Sequence, residues 1–248
     1  MPSPVPMSDT ASRIINRVAA EVGIQPVADP FSSDDPTFQQ LIFLMNTAGE
    51  ELLIQFPWEQ LQNETSITTQ SGDTGEYPLP DDFAYMINQT GWERSQNVPL
   101  FGPLSPQEWQ YLLGRDLVTS TIYASFRIKQ GYFTLFPAPP SVGLNIHYEY
   151  IGKNWVRDAD NPLLFKDEVT KAADTPLYNR LLISRYTKAK YLEAHQMDSS
   201  RAQDDFNQMF EQLAGRGAGA PVLNAGRPSG GMPYLDGFRS VPDSGFGM

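Results

Sequence analysis

Cysteine is absent from the 248 residues. Its absence excludes disulfides, thiolate nucleophiles and sulfur-based zinc sites, and leaves stability to packing or to partner subunits. Histidine is nearly as scarce. His147 and His195 stand alone, without clustered ligands, and make a poor metal or catalytic centre. Basic charge is in deficit, with 18 Lys+Arg against 29 Asp+Glu and a formal net charge of −11. Such a chain does not offer the general cationic face that nucleic acids or anionic membranes require. No apolar run approaches the roughly 20 residues that span a bilayer. The opening MPSPVPMSDT has neither a basic nor an apolar signal region, so export by the general pathway is not expected.

Catalytic signatures are missing as well. The glycines between residues 215 and 231 lack the Lys-Ser/Thr that completes a phosphate loop, and no G-x-S-x-G occurs. Glu50-Glu51 and Asp81-Asp82 are adjacent carboxylates, whereas a glycosidase needs two that face each other across a cleft, roughly 5–10 Å apart. Asp81-Asp82, directly after Pro80, reads better as a turn cap. No cofactor and no metal are expected, and no solenoid or propeller repeat is present.

What the chain does contain is enough apolar surface for a core, 40% hydrophobic and 12% aromatic residues. Ile14, Ile15, Val18, Ala19 and Val22 recur at helical spacing, which predicts a helix over 9–23 with Asp9 or Thr10 as cap and Gly23 as stop. Asp35-Pro36 opens a second helix, 36–55, whose stripe is Leu41, Leu44, Met45, Ala48 and Leu52. From residue 62 the period falls to two. Thr65, Ile67 and Thr69 alternate, and Ser71-Gly72-Asp73 is a turn. Residues 116–150 read as antiparallel strands, with Gln130-Gly131 as a turn and Leu144, Ile146, Tyr148 and Tyr150 on one face. Asp174-Thr175-Pro176 predicts the start of a long helix, 176–214, interrupted near Asp198-Ser199-Ser200 and stopped at Gly215. Trp58, Trp92, Trp109 and Trp155 are expected as core or subunit-interface anchors rather than sugar platforms.

The fold class expected is α+β. A helical bundle, two N-terminal helices and the long C-terminal helix (residues 1–60 and 171–214), carries an inserted antiparallel β-sandwich or barrel-like domain (61–170). An extended C-terminal arm follows (215–248). The arm is Gly- and Pro-rich and cannot fold alone against a backbone entropy of roughly 1–2 kcal/mol per residue. Yet it carries apolar anchors, Leu223, Tyr234, Leu235 and Phe238, and the cations Arg216, Arg227 and Arg239. That pattern suits a segment that orders against a partner.

The stretch YPLPDDFAYMINQTGWERSQNVPLFGPLSPQEWQYLL, Tyr77 to Leu113, resembles the head-to-tail adaptors of short-tailed bacteriophages in its pattern YPLP-DF, then W-R, then PL-GPLSP-EW. The resemblance implies a structural virion protein made in the host cytoplasm, without enzymatic activity. It implies a dodecameric ring at the neck that joins the portal protein to the tail nozzle protein. Genomic DNA would pass through its lumen without sequence-specific binding. It also implies that the C-terminal arm packs along the portal, which would make Arg216, Leu223, Arg227, Tyr234, Leu235, Phe238 and Arg239 the partner-binding residues. Two other classes remain open on sequence. One is a tail-associated cell-wall or polysaccharide hydrolase, the other a receptor-binding or decoration protein.

Overall fold

A computed structural model of the chain describes residues 7–114, 125–138 and 140–217. The strand start expected at 116–124 and the arm beyond Gly217 lie outside the described residues. The described helices are α1 (Ala11–Glu21), α2 (Pro36–Gln55), α3 (Pro106–Gly114), α4 (Arg180–Ala194) and α5 (Ser200–Gly217). With them go antiparallel sheets, so the protein is mixed α+β.

Helix α2 stands where the sequence places it. The Asp35 carboxylate accepts from the Thr37 N–H at 2.9 Å, and Pro36 fills the first position, whose N–H would have no partner. Phe38, Leu41, Met45, Ala48 and Leu52 are buried, while Leu44 sits half-buried at the edge of the stripe. Helix α1 has Thr10, one of the two expected caps, at its N-cap position, but neither the Thr10 nor the Asp9 side chain closes the first turn. Instead the Asp9 Oδ1 accepts from Thr10 N at 2.9 Å. The first-turn N–H groups of Ala11 and Ser12 donate to the carbonyls of Asp174 (2.8 Å) and Ala172 (3.0 Å). A distant loop therefore caps this helix.

The long C-terminal helix is corrected. Thr175–Pro176 is a short strand and Asp174 is fully buried, so neither starts a helix. The cap is Asn179, whose side-chain oxygen accepts from Leu181 N at 2.9 Å. The helix ends at Ala194, Gln196 adopts φ +54°, and α5 restarts at Ser200 with Asp198 accepting the Ser200 N–H at 3.0 Å. The break is thus a full reversal. Tyr186 and Phe206 stack with centroids 4.1 Å apart and planes 9° apart, which holds α5 back along α4. Helix α5 runs two residues past Gly215.

Helices α1, α2, α4 and α5 share one core with residues from the end of the β region, Ile151, Trp155, Val156 and Val169. Trp155 lies flat against Tyr178 at 5.6 Å, and Trp58 meets Tyr178 edge-on at 6.0 Å. Trp58 Nε1 donates to the Leu52 carbonyl at 2.7 Å, which satisfies an end group of α2.

Strand β8 (Asn145–Gly152) is the spine of the largest sheet. Strand β1 (Gln62–Thr68) pairs along one side; β3 (Phe83–Met86) and β4 (Trp92–Glu93) share the other, with β5 (Val98–Pro99) beyond β4. A second sheet runs β2 (Glu76–Pro78), β7 (Tyr132–Phe136), β6 (Ser125–Lys129). The β6–β7 hairpin turns on Gln130 and Gly131, at φ +51° and +79°, the two left-handed residues that a tight hairpin with native twist requires. The alternation predicted for β8 buries Ile146, Tyr148 and Tyr150. Phe126, Phe133 and Tyr148 stack in series at 4.6 and 4.9 Å, joining the two sheets through a second core. A third, small sheet sets β9 (Val156–Arg157) between β10 (Phe165–Lys166) and β11 (Thr175–Pro176).

Helix α3 was not expected from periodicity. Its signal is Ser105-Pro106-Gln107-Glu108, a capping box: the Ser105 N–H donates to Glu108 Oε2 at 2.8 Å, and the Glu108 N–H to Ser105 Oγ at 3.3 Å.

Candidate interaction surfaces

Among the described residues no group of three or more His, Asp or Glu could hold a metal, and no helix is long and apolar enough to cross a membrane. The chemistry on offer is that of contact surfaces, and three regions are built for it.

The first is the loop from Asp158 to Asp174. At its base Asp174, fully buried, accepts from the N–H groups of Ala159 (3.1 Å), Thr170 (2.9 Å) and Lys171 (2.7 Å), and pairs with the Lys166 ammonium at 2.6 Å. Burial raises this carboxyl, but Lys166 and the three N–H donors outweigh it and hold the group below the usual carboxylate range. Lys166 also reaches Asp158 at 3.3 Å, and Lys171 pairs with Asp160. Asp158 Oδ1 accepts from Asp160 N (2.8 Å) and Asn161 N (3.1 Å), and Asn161 Oδ1 from Leu163 N (3.0 Å). These are self-closing Asx turns. The loop is stitched to α2 through Asn46, which exchanges two hydrogen bonds with Val169, at 2.9 and 3.2 Å. So fixed, it presents Pro162-Leu163-Leu164-Phe165 to solvent, with Leu163 73% and Leu164 58% exposed. Asp160, Asp167 and Glu168 stand exposed around them.

The second region is a cleft of about 150 Å³ where α1, α4 and α5 meet. Leu181, Ser184 and Ala202 line its inner part, with Arg17, Arg185, Lys188, Glu21 and Asp205 around them. Glu21 pairs with both Arg17 (3.3 Å) and Lys188 (3.2 Å), and Arg185 donates to the Asp205 carbonyl at 2.9 Å. On a chain with far more acid than base, this is a local excess of cations.

The third region is the outer face of the main sheet. Glu64 Oε1 accepts from Arg94 and meets His147 Nδ1 at 2.8 Å. Trp92 lies opposite His147 in register. The hydrogen bond from His147 leads the causes that hold the Glu64 carboxyl below its ordinary value. Next to it Glu93 is buried. Burial raises its carboxyl, and N–H donors from Asn145 (3.0 Å), Ser95 (2.9 Å) and Gln96 (2.6 Å) more than offset that. The Trp92-Glu93-Arg94 part of the motif is therefore a structural staple flanked by surface contacts.

The four tryptophans divide between the two expected roles. Trp58 and Trp155 are core residues, whereas Trp92 and Trp109 are half-buried, one on the outer sheet face and the other on α3, none of whose residues is buried, which leaves them the subunit-interface alternative. Trp109 touches Phe136 edge-on at 6.2 Å. One expectation changes here. Asp82 does not cap its turn; the turn closes by Phe83 N–H to Pro80 O at 3.0 Å, and the carboxylate accepts from Tyr150 Oη (2.8 Å) and Asn63 Nδ2 (3.2 Å).

The partner-binding residues named from sequence are not among those the structure describes in detail. Arg216 falls in the last turn of α5, with its side chain outside the described set, and Leu223, Arg227, Tyr234, Leu235, Phe238 and Arg239 lie beyond it. Sequence reading missed the Asp158–Asp174 loop. Its visible signal was an Asn-Pro-Leu-Leu-Phe run between acids, with no strand or helix period to absorb it.

No curated protein matches the chain. A family model described as SU10 adaptor protein matches residues 9–228, which includes both cores and all three surface regions. The chain therefore belongs to the SU10 adaptor protein family and is a structural adaptor of a bacteriophage virion.

Proposed function

We propose that the protein is the head-to-tail adaptor of the virion neck, a dodecameric ring that joins the portal protein to the tail nozzle protein and surrounds the path of the genomic DNA. The family match carries this reading. In it, α1, α2, α4 and α5 serve as a helical bundle, and the two sheets that share the Phe126–Phe133–Tyr148 stack serve as an inserted sandwich. The excess of acid over base suits a DNA conduit, since like charge discourages the phosphate backbone from sticking.

The last turn of α5 and the segment after it, residues 215–248, are the portal-docking arm in this reading. Leu223, Tyr234, Leu235 and Phe238 would fill pockets, and Arg216, Arg227 and Arg239 would pair with portal acids. Helix α5 packs Met209, Phe210 and Leu213 on the helical core, which is what the truncated protein would retain. The test is deletion of residues 218–248. The truncated protein should keep its thermal unfolding transition and fail to attach to portal-containing heads. Unchanged attachment would defeat the docking role, and a copy number per virion other than twelve would defeat the ring.

A further inference from the structure

We propose that the Asp158–Asp174 loop is the subunit-to-subunit latch, its Leu163-Leu164 tip and acidic rim seating in the α1–α4–α5 cleft of a second copy of the chain. This deepens the ring reading above and rests on it.

Three observations converge. Four consecutive apolar residues in solvent are unfavourable unless something covers them. The loop nevertheless holds them in one shape through a buried carboxylate, an ammonium and a set of Asx turns. A preshaped apolar tip loses little conformational freedom on docking, which is how binding elements gain affinity. The rim then selects the partner surface. Asp167 and Glu168 call for cations, whereas Asp160 is already paired with Lys171, and Arg17, Arg185 and Lys188 outnumber Glu21 and Asp205 around a cleft of side-chain size whose lining includes Leu181 and Ala202. The methylene stems of those cations add apolar surface for the leucines. Finally, the tip stays exposed in its own chain, so it does not occupy its own cleft. Tip and cleft are different surfaces, so copies can join head-to-tail, the type of contact that closes into rings or runs on as filaments, whereas a reciprocal pairing would stop at a dimer.

The lack of native cysteine makes the test clean. Leu164→Cys and Leu181→Cys would be introduced singly and together in the full-length protein and oxidised mildly at high micromolar concentration. A single-cysteine chain can form at most a covalent dimer. The double variant should form a ladder of trimers and larger species. Asp167→Lys with Glu168→Lys should reduce that ladder by tenfold or more, and adding Arg17→Glu with Lys188→Glu should restore it. Circular dichroism melting checks that each variant folds. The proposal falls if the double variant gives no more than the singles, or if charge reversal leaves the ladder unchanged. It falls equally if Leu164→Cys cross-links to portal subunits in reconstituted heads while Leu181→Cys stays unlinked, for then the tip's partner is another protein. A ladder from a protein absent from virion necks would sink the adaptor ring and leave the latch standing. A neck ring without a ladder would do the reverse.

Discussion

Gly49 and Trp155 occupy the same space: a Cβ built on Gly49 would stand 2.3 Å from the Trp155 Cζ2. This explains a glycine in the middle of a twenty-residue helix, where it normally destabilises by about 0.5–1 kcal/mol relative to alanine. The indole lies on the bare backbone of α2, and Tyr178 stacks against it while donating to the Gly49 carbonyl at 3.0 Å. Gly49→Ala should therefore reverse the usual sign and destabilise by about 1–3 kcal/mol through overpacking. Urea unfolding with an unchanged m-value would show it, and a stabilised variant would refute the close contact.

The tryptophans should separate into two classes. Trp155→Ala removes a fully buried ring and should lower stability by about 3–5 kcal/mol. Trp92→Ala, at a half-buried position on the outer sheet face, should lower it by about 1 kcal/mol or less. Equal melting losses for the two would contradict the placement of Trp92.

Asp174 sets an acid limit on the fold. Its folded-state pKa is depressed, so its contribution is present above the unfolded value near 4 and is lost as pH falls through the folded value. Glu93 acts in the same direction. Stability should be flat near neutrality and fall below about pH 4. Asp174→Asn should cost about 3–5 kcal/mol at neutral pH, because Lys166 loses its main partner. The variant should also show a shallower acid slope than the parent. An unaltered slope in a pH series of denaturation midpoints would rule this role out.

The purified protein should sediment as a monomer at low micromolar concentration. Its charge of −11 opposes association, and a latch without the portal's template is weak. A stable twelve-subunit ring formed without portal would contradict this.

Legibility in the sequence followed the range of the interactions. Helix α2 was readable to the residue because its cap, its proline and its stripe are all local. Strand β8 was readable because one face is buried and the period is two. Asp174 was misread as a helix cap because a capping Asp and a buried Asp look alike in sequence. What distinguishes them is Lys166 and the loop amides folding over it, contacts that no periodicity announces. Helix α1 starts after Thr10 as expected, but what satisfies its first-turn amides was not legible for the same reason, since they donate to residues 172 and 174. Helix α3 was missed although its capping box was in plain view, since too few apolar positions followed to establish a period.

The Asp158–Lys166–Asp174 set also constrains how such a protein can diverge. Substituting Lys166 alone leaves a buried carboxylate without its cation, and substituting Asp174 alone leaves three amides without their acceptor, so either step is costly by itself. These positions should drift as a block, inherited together or exchanged together for an apolar solution. Leu163 and Leu164 answer to no such internal bookkeeping and can change whenever the surface that receives them changes. Among relatives of this chain, an invariant loop base beneath a varying tip would be the imprint of a scaffold kept constant while its counterpart evolves.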